Sequence, residues 1–311
     1  MSKALRPSEI TLPPGTWPTV LAFLCQHFHR IDAEIWRERV ASGKVHWFAG
    51  AAITTDTPYH AGRRLCYYRE VPTEPRIADA HQILFQNQHI IVACKPHGLP
   101  VTPGGDFVNE CLLERVRRDT GVADLAPVHR LDRDTAGIVL FSCDALSRPW
   151  YYDLFASGRI EKQYRAVAPL PTTAPPFATG QHWQVQNRIE KSDPRFVMQV
   201  VDGEPNAHSS MQLLAIEPAA FEPATTSQQG LFALTPHTGK THQLRLHMAG
   251  IGAPLLGDNY YPQLLPKVVA SDTTLPLQLL AQQLRFIDPV DGSPRHFQSS
   301  RRLAAWQGEW C

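Results

Sequence analysis

Hydrophobic and polar positions in the first part of the chain predict a small unit of helices and strands. The apolar spacing within residues 19–41 is that of two short amphipathic helices, and Asp32 is placed to cap the second one. Two short apolar runs within residues 45–68 predict strands. A proline-rich segment at 71–75 then predicts a linker, so we expect an N-terminal module of residues 1–76.

From residue 77 onward, the apolar runs are short and occur in neighbouring groups that do not alternate regularly with helices. We predict strands at 83–85, 90–94, 138–141, 164–168, 197–201, 208–215, 231–235 and 284–287. This grouping favours an α+β fold with a mixed, largely antiparallel central sheet over a doubly wound parallel fold. The second predicted domain spans residues 77–311, with a turn at Asp291-Gly292 between its last two strands.

Composition narrows the class of protein. The 311 residues are 43% hydrophobic, which suffices for one large core and a small extra module. No apolar run approaches the roughly 20 residues that a membrane span needs, and the opening segment MSKALRPSEI lacks the apolar core of a secretory signal. We therefore expect a cytoplasmic protein. The six cysteines lack metal-ligand spacing, and a disulfide framework is not expected.

The charge balance says little about the whole chain but differs between its parts. The formal net charge of +1 argues against a protein that coats nucleic acid non-specifically. Residues 1–76 contain ten Lys and Arg against seven Asp and Glu, whereas the remainder carries a small negative excess. This is the sign expected of an RNA-contacting appendage, although the solvated face of a helix gives the same balance.

One polar segment stands directly before a buried strand. In PVHRLDRDTAGIVLF (127–141), the charged part that contains Asp132 precedes a run of four apolar residues. Charged groups placed against a buried strand are costly unless they are paired or functional. The alternative is an exposed turn whose arginines and aspartates pair with each other, for example Arg130 with Asp134.

Two further segments carry candidate chemistry. EKQYRAVA (161–168) places Tyr164 on a strand, where a tyrosine is more often a core residue than a catalytic group. In LTPHTGKTHQLRLHMAGIGAPLLG (234–257), a helix from His242 is predicted, capped by Thr241. The segment also supports a strand, and Arg245 has the alternative of a surface salt bridge.

Several histidines raise the alternative of a metal site in a metal-dependent hydrolase. The candidate ligands are His129, His237, His242 and His247 with Asp132. His242 and His247 are five residues apart, so the i, i+4 arrangement of a zinc-binding helix is missing. We expect no metal.

Taken in order, five segments resemble the RluA-type family of pseudouridine synthases. KPHGLPV, HRLDRDTAG, EKQYRAV, TGKTHQLRLHMAGIGAPLLGD and LRFIDPVDG match the motifs of that family between about residues 80 and 294. The resemblance implies a pseudouridine synthase catalytic domain that isomerises uridines in structured RNA. The N-terminal unit is similar to the small α/β RNA-binding module that often precedes this domain, with fewer basic residues on its second helix.

The resemblance assigns the catalytic roles. Asp132 is the carboxylate that meets the developing positive charge at the sugar carbon, Arg245 is its partner, and Tyr164 lies near the uracil. The target nucleotide must leave the base stack, and Arg130 is our candidate to fill the gap. The further expected substrate contacts are His129, Leu131, Lys162, Leu246 and Lys95.

This chemistry needs no redox cofactor and no metal, so none is expected. The expected partner is RNA, either ribosomal or transfer RNA, and no membrane; we expect a monomer. The competing function from another class is a non-catalytic RNA-binding or ribosome-assembly protein that retains the fold. The presence of Asp132, Tyr164 and Arg245 together favours the enzyme.

Overall fold

Residues 2–171, 176–219, 228–266 and 275–310 are described by the computed structural model of this chain. The chain divides into two compact units. Unit 1 consists of residues 1–76 and 103–110, and unit 2 consists of residues 77–102 and 111–311. Within the described ranges, no helix has both the length and the apolar character needed to cross a membrane.

Unit 1 contains two helices and two small antiparallel sheets. Its elements are β1 (Ser2–Lys3), β2 (Ser8–Thr11), α1 (Val20–His27), α2 (Ala33–Ala41), β3 (Val45–Trp47), β4 (Arg64–Tyr67) and β5 (Glu70–Val71). The strand order is β2-β4-β3 in one sheet, and β1 pairs with β5 in the other. Both predicted helices are confirmed, and the Asp32 carboxylate accepts the Glu34 N–H at 2.7 Å as the predicted cap.

The predicted linker at 71–75 is instead built into unit 1. Val71 pairs with Ser2 between β5 and β1. The Glu74 Oε1 atom accepts the backbone N–H groups of Val108, Asn109 and Glu110 at 2.6, 2.6 and 2.7 Å. Charge-assisted bonds of this kind are the stronger class of hydrogen bond. They hold Val108, Asn109 and Glu110 in unit 1, and the sequence did not predict that residues 103–110 belong to this unit.

Unit 2 is built on a sheet of eleven strands. These strands are β6 (Gln82–Gln86), β7 (Ile90–Lys95), β8 (Ala126–Pro127), β9 (Ala136–Ser142), β10 (Glu161–Pro169), β11 (His182–Lys191), β12 (Met198–Val201), β13 (Ala207–Pro218), β14 (Gln228–Pro236), β15 (Leu279–Ile287) and β16 (Pro294–Gln298). Their order is β12-β11-β13-β14-β10-β15-β9-β7-β6, with β16 on β15 and β8 on β9. The β9–β15 pair is parallel and the others are antiparallel, so the predicted mixed, largely antiparallel sheet is confirmed.

Among the described residues of unit 2, three helices accompany this sheet: α3 (Leu112–Thr120), α4 (Arg148–Ala156) and α5 (Gln243–Gly250). Leu112 and Val116 of α3 pack in one core with β7 and β9, while Leu244 and Met248 of α5 pack in another with β10 and β14. The helix predicted from His242 in the motif TGKTHQLRLHMAGIGAPLLGD is therefore confirmed, but its predicted cap is wrong. The N-cap is His242, whose backbone is left-handed (φ 55°, ψ 15°), and not Thr241.

Strand β15 has two of the sequence motifs on either side of it, on β9 and β10. Ala281 of β15 pairs with Gly137 of β9 on one side and with Tyr164 of β10 on the other. Gly137 has φ 116°, and a Cβ atom there would lie 2.3 Å from the Ala281 carbonyl oxygen. Only glycine allows this approach. The loop before β9, which carries Asp132, is thereby set next to Tyr164.

Candidate active site

Unit 2 contains a cavity of about 540 Å³ that gathers residues from separate motifs. It is lined by His129, Arg130, Leu131, Asp132, Thr135, Tyr152, Phe155, Ala156, Lys162, Tyr164, Pro236, His237, Thr238, Gly239, Lys240, Thr241, His242, Gln243, Leu244, Arg245 and Leu279. Asp132, Tyr164 and Arg245 therefore share one cavity, although 113 positions separate the first from the last.

Asp132 lies in the loop between β8 and β9. Its backbone carbonyl accepts the Thr135 N–H at 3.2 Å, which closes a turn directly before β9. About a quarter of its side chain is exposed (25%). The carboxylate therefore lies at the cavity wall, where it is partly open to solvent and can meet a substrate.

Lys95 fixes this loop through hydrogen bonds to its backbone. Its Nζ atom, fully buried, donates to the carbonyl oxygens of Pro96, Leu99 and Arg133 at 3.1, 2.6 and 2.8 Å. Burial lowers the pKa of Lys95 to about 7, against the opposing attraction of Asp134 and Asp132. Lys95, which we expected to contact substrate, is not among the residues that line the cavity.

Tyr164 stands on β10 at an irregularity in the sheet. The register of β10 on β15 shifts between Gln163 and Tyr164, and the Tyr164 side chain packs against two core clusters. Burial, with the nearby charge of Asp132, raises the pKa of Tyr164 above its usual range. The phenol is therefore neutral and lies close enough to Asp132 to feel its charge.

Arg245 is held by a buried carboxylate that the sequence analysis did not single out. Its Nε and Nη2 atoms donate to the two carboxylate oxygens of Asp258 at 2.8 and 2.5 Å, and both side chains are almost fully buried. The Tyr260 and Tyr261 rings lie 4.6 and 5.3 Å from the guanidinium. A two-point pair between a guanidinium and a carboxylate fixes the orientation of both groups.

The direct ion-pair partner of Arg245 is thus Asp258, whereas we expected Asp132. Asp132 acts on Arg245 at longer range. Burial by itself would lower the pKa of Arg245, but the hydrogen bonds and charge of Asp258, with added attraction from Asp132, raise it. A permanently charged guanidinium therefore faces the same cavity as the Asp132 carboxylate.

The loop before α5 is fixed by a buried amide. The Gln243 Oε1 atom accepts from the Thr238 hydroxyl at 2.7 Å and from the Lys240 N–H at 3.0 Å. Its Nε2 atom donates to the His208 carbonyl and to Ser209 Oγ at 2.9 and 2.8 Å. All these bonds hold the cavity wall at residues 238–240 rigidly against β13.

His129 and Leu131 have packing roles at the cavity wall. The His129 Nε2 atom accepts the Leu140 N–H at 3.1 Å, and the ring stacks on Phe155 at 4.5 Å. Burial, with the charge of Lys162, lowers the pKa of His129 to about 3, so the ring is neutral. Leu131 is buried in the core that includes Val139.

Arg130 and Lys162, unlike Lys95, are basic groups that were expected to contact substrate and that line the cavity. Arg130 is exposed, and no ion pair or hydrogen bond is found for its side chain within the part of the chain that the structure describes. The alternative pairing of Arg130 with Asp134 is wrong, because Asp134 pairs with Arg133 at 2.8 Å. Leu246, also expected to contact substrate, is absent from the cavity lining, where Leu244 stands.

The histidines that suggested a metal site have separate partners. His237 contacts Ser210 at 2.6 Å and His247 contacts Asn187 at 3.1 Å. Across residues 2–171, 176–219, 228–266 and 275–310, no group of three or more His, Cys, Asp or Glu side chains is arranged to hold a metal ion.

Asp258, Tyr261 and His242 are site residues whose roles the sequence analysis missed. Asp258 ends the quoted motif TGKTHQLRLHMAGIGAPLLGD, which is the one signal that pointed to it. Its Oδ1 atom also accepts the N–H groups of Tyr260 and Tyr261 at 2.8 and 3.1 Å. The Tyr261 hydroxyl in turn lies 2.9 Å from His242 Nδ1.

The chain is similar in sequence to known RNA pseudouridine synthases. Residues 89–250 match the family model described as RNA pseudouridylate synthase. An uncharacterized RNA pseudouridine synthase of Synechocystis sp. is 28% identical over 242 residues, which cover 78% of this chain and 79% of that protein. The dual-specificity RNA pseudouridine synthase RluA of Yersinia pestis is 30% identical over 222 residues, covering 70% and 97%.

The fold is also that of solved proteins. The structure of human RNA pseudouridylate synthase domain containing 1 superposes with a TM-score of 0.57 at 19% identity, covering 74% of this chain and 86% of that one. At this identity the likeness concerns the fold alone.

Proposed function

This chain belongs to the RluA-type RNA pseudouridine synthases, and we propose that it isomerises specific uridines of ribosomal or transfer RNA with Asp132 as the catalytic carboxylate. The observation that carries this proposal is the shared cavity of Asp132, Tyr164 and Arg245. Three segments distant in sequence supply one carboxylate, one phenol and one guanidinium to the same cavity.

The reaction breaks the bond from ribose to a ring nitrogen of uracil, turns the base, and joins it again through a ring carbon. Positive charge develops at the sugar carbon when the first bond breaks, and a carboxylate stabilises it as in glycoside cleavage. Asp132 supplies that carboxylate. Both a covalent sugar adduct and removal of a ribose proton by Asp132 are compatible with its position.

Arg245 provides a positive charge in the same cavity as this carboxylate. Loss of water around a carboxylate raises its pKa, and a nearby cation opposes the change. Because Asp258 fixes the guanidinium at two points, the charge stays in place without substrate. Arg245 is therefore prepared to stabilise ionised Asp132 as water leaves the cavity.

Tyr164 is suited to packing against the uracil. Burial and Asp132 raise its pKa, so the neutral phenol is a poor base on its own. Its hydroxyl is able to pass a proton from the ring carbon only together with another acceptor. We assign it first to holding the base and second to that final proton transfer.

Arg130 is our candidate for the group that replaces the everted nucleotide. Extruding a nucleotide costs a few kcal/mol of unstacking. A guanidinium plane stacks on bases and also meets phosphates, so it offsets part of that cost. Arg130 is exposed at the cavity and free of the ion pair that holds Arg133, which supports this role.

We also propose that unit 1 adds affinity for RNA. The guanidinium groups of Arg63 and Arg64 lie 3.5 Å from the ring centres of Trp47 and Phe48. Phe48 is 54% exposed, so its pair with Arg64 is accessible at the surface, where Arg64 also pairs with Glu9 at 3.2 Å. Such surfaces bind single-stranded RNA by stacking and by phosphate contacts.

The test is a map of pseudouridines across total RNA from cells with and without the gene, complemented by variants. Asp132→Asn is expected to lower pseudouridine formation by at least about 1,000-fold while RNA binding stays within a few-fold. Asp134→Asn in the same loop is the matched control and should retain activity. Both ribosomal and transfer RNA are mapped, since the Yersinia relative is named for dual specificity.

A non-catalytic RNA-binding or ribosome-assembly function gives the opposite result. Deleting the gene would then leave every pseudouridine in place, and Asp132→Asn would complement as well as the wild-type chain. An Asp132→Asn protein that turns over at near the wild-type rate ends the proposed mechanism.

A further inference from the structure

We propose that His242 is a positioning residue for the catalytic carboxylate, and that Tyr261 locks its ring so that an Nε2–H group points at Asp132. This inference rests on the proposed role of Asp132. It assigns to His242 and Tyr261 a task beyond lining the cavity.

The backbone of His242 is the first observation. Within the described part of the chain, His242 is the one residue other than glycine with a positive φ (55°). Such a conformation is disfavoured for a residue with a Cβ atom, and strain of this kind concentrates at functional sites. His242 is the N-cap of α5, yet its side chain makes no capping hydrogen bond. The ring is turned to the cavity instead.

The contacts of the ring are the second observation. His242 Nδ1 lies 2.9 Å from the Tyr261 hydroxyl, and Nε2 lies 3.9 Å from Asp132 Oδ2. The Tyr261 oxygen also accepts the Met198 N–H at 2.8 Å. Each ring nitrogen of His242 therefore faces one defined oxygen.

These contacts select one tautomer. The Tyr261 hydroxyl has one proton, which goes either to His242 Nδ1 at 2.9 Å or to the Met198 carbonyl at 3.2 Å. The first choice is shorter, and it puts the imidazole proton on Nε2, facing the carboxylate. The second choice leaves the Nε2 lone pair facing the Asp132 carboxylate, which is electrostatically unfavourable. The Nε2–H tautomer is therefore the one that fits.

Burial keeps the ring neutral. It lowers the pKa of His242, and the charge of Arg245 adds to this, while the charges of Asp132, Asp258 and Asp134 oppose it. A neutral donor orients the carboxylate without forming an ion pair that would quench its charge. The 3.9 Å separation is about 1 Å too long for a hydrogen bond, and catalytic hydrogen bonds often tighten only when substrate is bound.

If His242 had only a structural role, its variants would behave differently. Two substitutions distinguish the structural role from the donor role. Asparagine tolerates the left-handed backbone better than other residues but reaches only as far as Nδ1. Glutamine tolerates it less well but carries its amide N–H group near the position of Nε2. A backbone role ranks His242→Asn above His242→Gln, whereas the donor role ranks their activities in the reverse order.

The experiment measures the single-turnover rate of pseudouridine formation, the RNA dissociation constant and the melting temperature for both variants. His242→Asn is expected to lower the rate by roughly 10- to 100-fold, the value of a hydrogen bond to a charged group. His242→Gln is expected to stay within about 5-fold of wild type, although it melts no higher than His242→Asn. Equal losses, or a faster asparagine variant, overturn the inference.

The tautomer is measured directly on the wild-type protein. Nitrogen-15 NMR of labelled histidine should show His242 protonated at Nε2, and Tyr261→Phe should give a mixture of both tautomers. Protonation of Nδ1 in the wild type overturns the inference. If Asp132→Asn stays active, the proposed function itself has failed; if it is inactive and the two His242 variants are equal, only this inference has failed.

Discussion

Lys95 donates its Nζ hydrogen bond to the backbone carbonyl of Arg133 at 2.8 Å, directly beyond Asp132 in the chain. Two further carbonyls, of Pro96 and Leu99, share the same ammonium group. One buried ammonium group thus joins the end of β7 to the loop that carries Asp132, the proposed catalytic acid. It fixes the position of Asp132 without touching the cavity.

Replacing Lys95 by methionine leaves three carbonyl groups without a partner, which is expected to lower the free energy of unfolding by about 1–3 kcal/mol for each. The substitution also removes a buried charge, which offsets part of this loss. The resulting difference in stability between wild type and variant depends on pH. Because the pKa of Lys95 is about 7 in the folded chain and 10.5 ordinarily, the unfolded chain binds more protons between these values. Wild-type stability relative to Lys95→Met should therefore rise with pH from 7 to 10.5, by at most about 1.4 kcal/mol per pH unit.

Urea unfolding at several pH values measures this difference, with exposed Lys191→Met as the control. A stability difference between wild type and Lys95→Met that is constant from pH 7 to 10 contradicts the prediction.

Removing Arg245 separates stability from chemistry. Arg245→Met leaves the Asp258 carboxylate buried without its partner, and we expect a loss of about 3–5 kcal/mol. The double variant Arg245→Met/Asp258→Asn removes the stranded charge and should recover part of that stability. Its catalytic rate should remain as low as that of Arg245→Met, because neither variant supplies a cation beside Asp132. Thermal melting and single-turnover rates measure the two effects. A double variant that regains activity along with stability would show that Arg245 only supports the fold.

Two arginines in one loop provide a matched test of nucleotide extrusion. Arg130→Ala should weaken RNA binding by about 1–3 kcal/mol, the usual value of one stacking contact, with little change in melting temperature. Arg133→Ala breaks an exposed pair with Asp134, which is worth about 0–1 kcal/mol, and should change RNA affinity less. Binding is measured by fluorescence titration, and 2-aminopurine beside the target uridine reports the extrusion. Equal effects of the two substitutions would remove Arg130 from this role.

The RNA-binding role of unit 1 is best tested by point substitutions. A cut after Arg76 removes Glu74, the acceptor that fixes residues 108–110, so a truncated chain would lose more than a module. Arg63→Ala/Arg64→Ala should reduce the slope of log affinity against log salt by about 1 per lost phosphate contact. Arg37→Ala, which breaks a surface pair with Glu34, is the control. An unchanged slope in the double variant would leave unit 1 with a structural role.

Three elements, α3, α4 and β11, were not predicted from the sequence, and each has an identifiable reason. The segment of α3, LLERVRRDT, is dominated by charged residues, and α4 has Pro149 in its first turn. The strand β11, HWQVQNRIEK, is mostly polar and half exposed. α3 and β11 have few apolar positions, and a proline stands early in α4, so neighbouring strands and cores decide the structure of these three segments.

The sequence by itself determined the local features and the family. Helices α1 and α2 with the Asp32 cap depend on residues a few positions apart, and the motifs around Asp132, Tyr164 and Arg245 are short strings. Only the tertiary structure decided the contacts between distant segments. These are the Arg245 pair with Asp258, the Lys95 bonds behind the loop, and the approach of Gly137 to Ala281. A single pattern of apolar and polar positions records whether a side chain is buried, but it does not record which group across the fold meets it.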